Sequence, residues 1–211
     1  MIDFSVIFAG FGGQGILSAG KMAAEAALYE GKEVSWFPSY GPEMRGGTAN
    51  CSVVFSDEPI GSPVVNDADV VICLNQPSME KFEKQLKPGA LMILDSSLIK
   101  TRPTRTDIKV IAMEASDIAS ELGKMMFAPI TMLGCMATAT GCFTRDSFEK
   151  SLYEILPERK HNPIPINMKH LTEAQRSLSN SPDLKNLSVI MFLPERSGRN
   201  FYLGYGYEKS S

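Results

Sequence analysis

The chain has 211 residues, 44% hydrophobic and 21% charged. These values are close to the roughly 45–50% and about 25% of ordinary globular proteins, which excludes disorder, collagen and coiled coil and leaves one domain with a small appendage. Lys and Arg total 21 against 24 Asp and Glu, a formal charge of −3, so no cationic excess draws the chain to nucleic acid or to an anionic membrane.

Residues 4–9 form a short apolar run that stops at Gly10. Beyond Gly15 the apolar positions change to Ile16, Leu17, Ala19, Met22, Ala23, Ala26 and Ala27. That change of period reads as strand, tight turn and helix, with Gly31 as the helix stop. Residues 33–37 read as a second strand, 38–47 as a Pro- and Gly-dense loop, and 50–55 as a third strand. Residues 57–63 are a connection, and 70–74 have the continuous apolar character of a strand buried on both faces. Pro77 can open a helix carrying Met79, Phe82 and Leu86 and ending at Pro88-Gly89, followed by strands at 91–94 and 109–112. A helix at 116–122, opened by the polar Ser116 and stopped by Gly123, precedes helices from Pro129 to Thr140, at 147–156 and at about 167–178.

Strands alternating with helices predict an α/β fold: a mostly parallel sheet flanked by helices, with a Rossmann-like N-terminal turn and a helical C-terminal part. Residues 1–179 form this domain. Residues 180–211 are a C-terminal extension, read as a hairpin or a flexible tail, with apolar stretches at 189–193 and 201–207 around a polar turn.

The longest apolar runs fall far short of the roughly 20 residues that cross a bilayer, and the N-terminus has neither a basic segment nor a small-residue cleavage site, so a cytoplasmic location is expected. Cys51, Cys73, Cys135 and Cys142 occur singly without C-x-x-C spacing, which reads as buried reduced thiols. Met125, Met126, Met132 and Met136 fall at helical spacing and read as core. His161 and His170 read as packing or surface residues. No Ser-His-Asp set, metal site or carboxylate pair is visible.

Two segments carry chemistry. Gly10-Phe-Gly12-Gly13-Gln14-Gly15 fits G-x-G-x-x-G after a strand and at the opening of a helix, where backbone N–H groups and the helix dipole favour a phosphate. The acid that a dinucleotide fold places about 20 residues later is missing, since that position holds Ser35, Trp36 and Phe37. The second segment, Ser39-Tyr40-Gly41-Pro42-Glu43-Met44-Arg45-Gly46-Gly47-Thr48-Ala49-Asn50, unites glycines with an aromatic, a carboxylate, a guanidinium and a hydroxyl. Arg45 between small residues can meet a phosphate or carboxylate bidentately, and Glu43 can equally pair with it inside the loop. Asn75 and Gln76 present amides at the end of a buried strand, and Asp95 stands in the same position after the next one; capping or turn roles would also explain all three.

Taken with Trp36-Phe-Pro, Ile60-Gly-Ser-Pro63 and Asn75-Gln-Pro-Ser78, these blocks resemble the gamma subunit of the 2-oxoacid:ferredoxin oxidoreductases over about residues 1–175. The wording is most similar to the 2-oxoglutarate and 2-ketoisovalerate types. The resemblance implies a hetero-oligomeric enzyme, inactive as this chain alone, that oxidatively decarboxylates a 2-oxoacid, transfers the acyl group to coenzyme A and reduces ferredoxin. It assigns thiamine diphosphate, Mg and the iron–sulfur clusters to alpha and beta subunits, with or without a delta subunit, and coenzyme A to a place near this one. Gly10, Gly12, Gly13, Gln14 and Gly15 would form the turn. Tyr40, Glu43, Arg45, Gly46, Gly47 and Thr48, with Asn75, would face coenzyme A or the partner. Competing readings are a stand-alone dinucleotide-binding oxidoreductase and a purely structural subunit. A domain built to bury apolar surface against partners is expected to self-associate when isolated.

Overall fold

The computed structural model describes residues 4–39 and 48–180. Six strands, β1 (Phe4–Phe11), β2 (Glu33–Ser39), β3 (Thr48–Ser56), β4 (Ala68–Cys73), β5 (Leu86–Asp95) and β6 (Lys109–Met113), form one sheet in the order β2-β3-β1-β4-β5-β6. Six helices accompany it: α1 (Ile16–Tyr29), α2 (Gln76–Phe82), α3 (Ala115–Glu121), α4 (Ala128–Thr140), α5 (Arg145–Ile155) and α6 (Ile164–Asn180). The expected α/β fold is present. β1, β4, β5 and β6 pair in parallel, while β3 is antiparallel to both β1 and β2. Five strands therefore point the same way and β3 alone opposes them. The mostly parallel sheet expected from the alternation of strand and helix is present, and its one antiparallel strand falls where a loop and no helix joins β2 to β3, a connection that lets two strands pair antiparallel.

Each strand is recognisable by what it buries. Every residue of β4 is buried, because neighbours pair on both sides and both faces are covered. One face of the sheet, through Phe8, Ile72, Ile93 and Ile111, packs on α1 and on α3 to α6. The other, through Ile7, Val71, Met92 and Leu94, packs on Met79 and Phe82 of α2 and on Ile99 of the following loop. At the amino edge Asp69 accepts hydrogen bonds from Ser5 N (2.9 Å), Ser5 Oγ (2.8 Å) and Lys87 Nζ (2.7 Å). Among the described residues no helix is long and apolar enough to cross a membrane.

Several element boundaries differ from the sequence expectations. α2 stops at Phe82, a short 3-10 turn follows, and Leu86 already begins β5, so Pro88 and Gly89 lie inside a strand and not at a helix end. The pairing of β4 with β5 shifts between Ala68 and Val70, which absorbs the irregular Pro-Gly pair as a bulge. Ser116 does not cap α3: the helix starts at Ala115, its cap position Glu114 makes no side-chain bond, and the Ser116 hydroxyl donates to Asp95 Oδ2 at 2.5 Å. α5 is capped by Thr144, whose Oγ1 accepts from Ser147 N at 3.1 Å. α6 begins earlier than expected, at Ile164 with Pro165 in its first turn. Met132 and Met136 are core, but Met125 and Met126 are 59% and 68% exposed, because they stand in a 3-10 turn ahead of α4 and not on its buried face. His161 bonds the Leu156 carbonyl (2.7 Å), whereas His170 is fully buried with both ring nitrogens unpartnered.

Candidate functional site

The carboxyl edge of the sheet gathers most of the segments singled out in the sequence. Chain leaving β1 runs to β2 and β3 on one side, then returns to β4 on the other, so the crevice between β1 and β4 is the topological switch point where open α/β sheets place ligands. Residues 12–15 turn from β1 into α1 at this crevice. Leu74 N donates to Ala9 O at 3.0 Å, which sets Asn75 at the neighbouring turn. Ser39 pairs with Asn50, and Thr48 with Phe11, so both ends of the intervening loop are fixed at the same edge. Tyr40, Glu43, Arg45, Gly46 and Gly47 lie outside the described residues, as do residues 181–211.

The turn is built by its glycines and by Gln14. A Cβ on Gly10 would stand 2.8 Å from Gln14 Oε1 and 2.8 Å from Ile16 Cγ1, closer than side-chain atoms pack. Gly13 and Gly15 have φ of 93° and 82°, the left-handed region in which a Cβ is strained. Gly12 is at the exposed part of the turn. Gln14 Oε1 accepts from Phe11 N (2.6 Å) and Gln14 Nε2 donates to Leu74 O (3.4 Å), so its amide clasps the ends of β1 and β4 together and is spent inside the fold. Gly15 caps α1 with no side-chain acceptor. Among the described residues no side chain caps the first N–H groups of this 14-residue helix.

The adjoining turn is different. Asn75 is only 4% exposed; its Oδ1 accepts from Ser78 N at 2.8 Å, capping α2, while its Nδ2 has no hydrogen-bond partner among the described residues. A buried amide donor left unpaired costs about 1–3 kcal/mol, and in native folds such groups are met by protein, water or ligand. Gln76 does not join it, because its Nε2 donates to Glu80 Oε1 (2.7 Å) and to Thr101 Oγ1. Asp95 is fully engaged in structure, accepting from Ser97 N (3.1 Å), Ser116 N (3.3 Å) and Ser116 Oγ.

An apolar lip borders the turn. Phe11 is 40% exposed, and the Met126 carbonyl lies 3.9 Å from where a Gly15 Cβ would be, which brings the exposed Met125 and Met126 alongside. Sequence periodicity missed this lip because it counts methionines without seeing that Gly123 (φ 119°) and the 3-10 turn move two of them off the helix face. Cys51 and Cys73 are buried in the sheet beside this edge. Burial pushes Cys51 up to about 12, against weaker opposing hydrogen bonds from Trp36 and Gly20, and pushes Cys73 up as well.

An α/β domain with a glycine turn at its switch point has the geometry that open α/β sheets use at their ligand crevices. The comparisons narrow it: the profile of the pyruvate ferredoxin/flavodoxin oxidoreductase family matches residues 5–177, and the chain belongs to that family, as a gamma-subunit domain. It is 39% identical over 170 residues to the ketoisovalerate oxidoreductase subunit VorA of Methanothermobacter marburgensis, covering 80% of this chain and 35% of that one. It is 38% identical over 152 residues to the 2-oxoglutarate synthase subunit KorC of Methanocaldococcus jannaschii, covering 71% and 81%. The chain thus spans about a third of the VorA relative and most of the KorC relative. Among solved structures it matches the keto/oxoacid ferredoxin oxidoreductase gamma subunit of Geobacter sulfurreducens with a TM-score of 0.72 and 29% identity, over 84% of this chain and 99% of that one. It shares the fold of 2-oxoglutarate:ferredoxin oxidoreductase from Magnetococcus marinus, a structure with 2-oxoglutarate, coenzyme A and succinyl-CoA bound, with a TM-score of 0.77 and 20% identity, over 87% and 32%.

Proposed function

We propose that this chain is the gamma subunit of a thiamine diphosphate-dependent 2-oxoacid:ferredoxin oxidoreductase, and that its β1/β4 crevice receives coenzyme A. The observation that carries the reading is the uncapped start of α1 beside the unpaired Asn75 Nδ2, with both ends of the Arg45 loop anchored at the same edge. Helix N–H groups suit a phosphate, a neutral amide donor suits a carbonyl or phosphate oxygen, and Arg45 would add a bidentate charge-assisted contact. Gly10, Gly12, Gly13 and Gly15 let the backbone come close, and Gln14 holds the turn shut. Tyr40, Glu43, Gly46, Gly47 and Thr48 complete the loop side.

Among the described residues no three His, Cys, Asp or Glu side chains gather as a metal site. Thiamine diphosphate, Mg and the iron–sulfur clusters are assigned to alpha and beta subunits, which would seat against the lip of Phe11, Met125 and Met126. A dinucleotide reading fares worse: β3 lies between β1 and β2, so the end of β2 is not beside the turn and has no acid to hold a ribose.

The test is to purify the tagged chain from its host without oxygen and assay 2-oxoacid- and coenzyme A-dependent dye reduction. Co-eluting larger subunits with activity are expected. Arg45→Ala in that complex should raise KM for coenzyme A about 10- to 150-fold, the effect of losing a charge-assisted contact, without dissociating the subunits. Unchanged kinetics would leave the loop a purely structural role.

A further inference from the structure

A second cleft opens at the carboxyl ends of β5 and β6, on the opposite side of β4 from the glycine turn. Its volume is about 310 Å³, with a floor of Leu94, Ile99 and Val110 and a rim of Ser96, Lys100, Thr101, Arg102 and Ala112. Among the described residues two cations and no carboxylate line it, in a chain of net charge −3. Lys100 Nζ donates to Ser96 O at 3.0 Å, which holds the ammonium on the rim with two of its three donors unspent.

Two nearby arginines divide the work of the loop. Arg105 builds it: its Nε and Nη2 bond both oxygens of Asp107 (2.8 and 2.6 Å), and its Nη1 bonds the Glu83 and Leu86 carbonyls (3.0 and 2.5 Å). Arg102 makes no ion pair among the described residues. The loop is also pinned to α2 by Gln76 on Thr101 and by Thr104 N on Glu83 Oε2 at 2.8 Å, so the rim is held in place before any ligand arrives.

We propose that this cleft binds a short aliphatic carboxylate, its head on Arg102 and Lys100 and its tail on Leu94, Ile99 and Val110. A guanidinium fork matches a carboxylate bidentately. The apolar floor favours a branched tail over a bare hydrated anion such as phosphate, and the volume is at the small end of ligand pockets. The proposal is independent of the coenzyme A reading, since no residue is shared.

Amide shifts of the full-length chain, recorded by NMR during titration with isovalerate, acetate and inorganic phosphate, test it. Isovalerate should give saturable shifts confined to residues 94–112, with acetate at least tenfold weaker for want of a tail. Arg102→Gln should weaken isovalerate at least tenfold. Ala112→Glu, an exposed edge-strand change that preserves the fold, should abolish binding, and Lys81→Gln on α2 should leave it unchanged. Shifts that fail to saturate, that are equal for the three anions, or that persist in Arg102→Gln would overturn the proposal.

Discussion

The two strand-to-helix turns that flank the β1/β4 crevice solve one problem in opposite ways. At β4 the chain supplies its own cap, with Asn75 Oδ1 on Ser78 N, so that helix start is closed from within. At β1 the cap position is Gly15, and among the described residues no side chain caps the first turn of α1. A helix start closed by its own side chain has satisfied one of its orphan donors, while one closed by glycine keeps them available and lets another surface approach. The contrast explains why Gln14, despite its place in a ligand-type motif, points inward: a turn with no cap needs a brace, and Gln14 ties it to Leu74 O.

Substitutions can break that contrast, beginning with the third turn on the same edge, which serves as a control. Asp95→Ala strips Ser116 and Ser97 of their acceptor and should cost about 3 kcal/mol in denaturant unfolding, with ligand affinity of the folded fraction unchanged. Gly10→Ala forces a Cβ onto Ile16 and Gln14 and should cost about 2 kcal/mol while also weakening coenzyme A binding, since it distorts the open turn itself. Asn75→Ala removes the α2 cap, a loss of about 1 kcal/mol, but also removes the unpaired buried donor, so the two effects offset and net stability should change by under about 1 kcal/mol. Asn75→Ser keeps an acceptor and loses the unpaired amide, so stability without ligand should hold or rise by about 1 kcal/mol while coenzyme A affinity falls about tenfold. If Asn75→Ser leaves affinity intact, the two turns differ only structurally.

The smallest effect is expected from pH. Phe127 of the segment that buttresses the glycine turn packs on His170 with ring centroids 5.0 Å apart, and burial holds that histidine below its ordinary value of 6.5. The unfolded chain takes up the proton near 6.5 and the folded chain only at lower pH, so stability is full above that value and declines as pH falls below it. Thermal midpoints should therefore drop modestly between pH 7.5 and 5.5, and His170→Leu should flatten the drop. Glu30 acts elsewhere on the scale. Its burial would raise it, but hydrogen bonds from Ser147 and Thr144 hold it below 4.5, so its contribution fades only in stronger acid.

The strands and the glycine turn were legible in the sequence because each rests on a local pattern: a continuous apolar run for β4, a change of period after Gly15. The direction of β3 was not, since residues 50–55 carry the same alternation whichever way they pair, and only the missing helix before them speaks for a hairpin. Leu86 was misread because a single apolar residue fits the end of a helix and the start of a strand equally well. At the site, Asn75 was identifiable as a polar residue ending a buried strand, but the split between its two side-chain atoms is a matter of packing. The exposure of Met125 and Met126 depends on where α4 starts, which composition does not fix.

The sealed thiol of Cys51 offers an experimental handle. Burial pushes it up to about 12, so thiolate is scarce there at pH 8, and the side chain is buried besides. Alkylation at Cys51, read site by site because Cys142 is only half-buried, will therefore wait for the domain to open, and its rate becomes a clock for that opening. Run with and without partner subunits or coenzyme A, the same clock would report how much each one slows the domain's breathing, with no reporter group added.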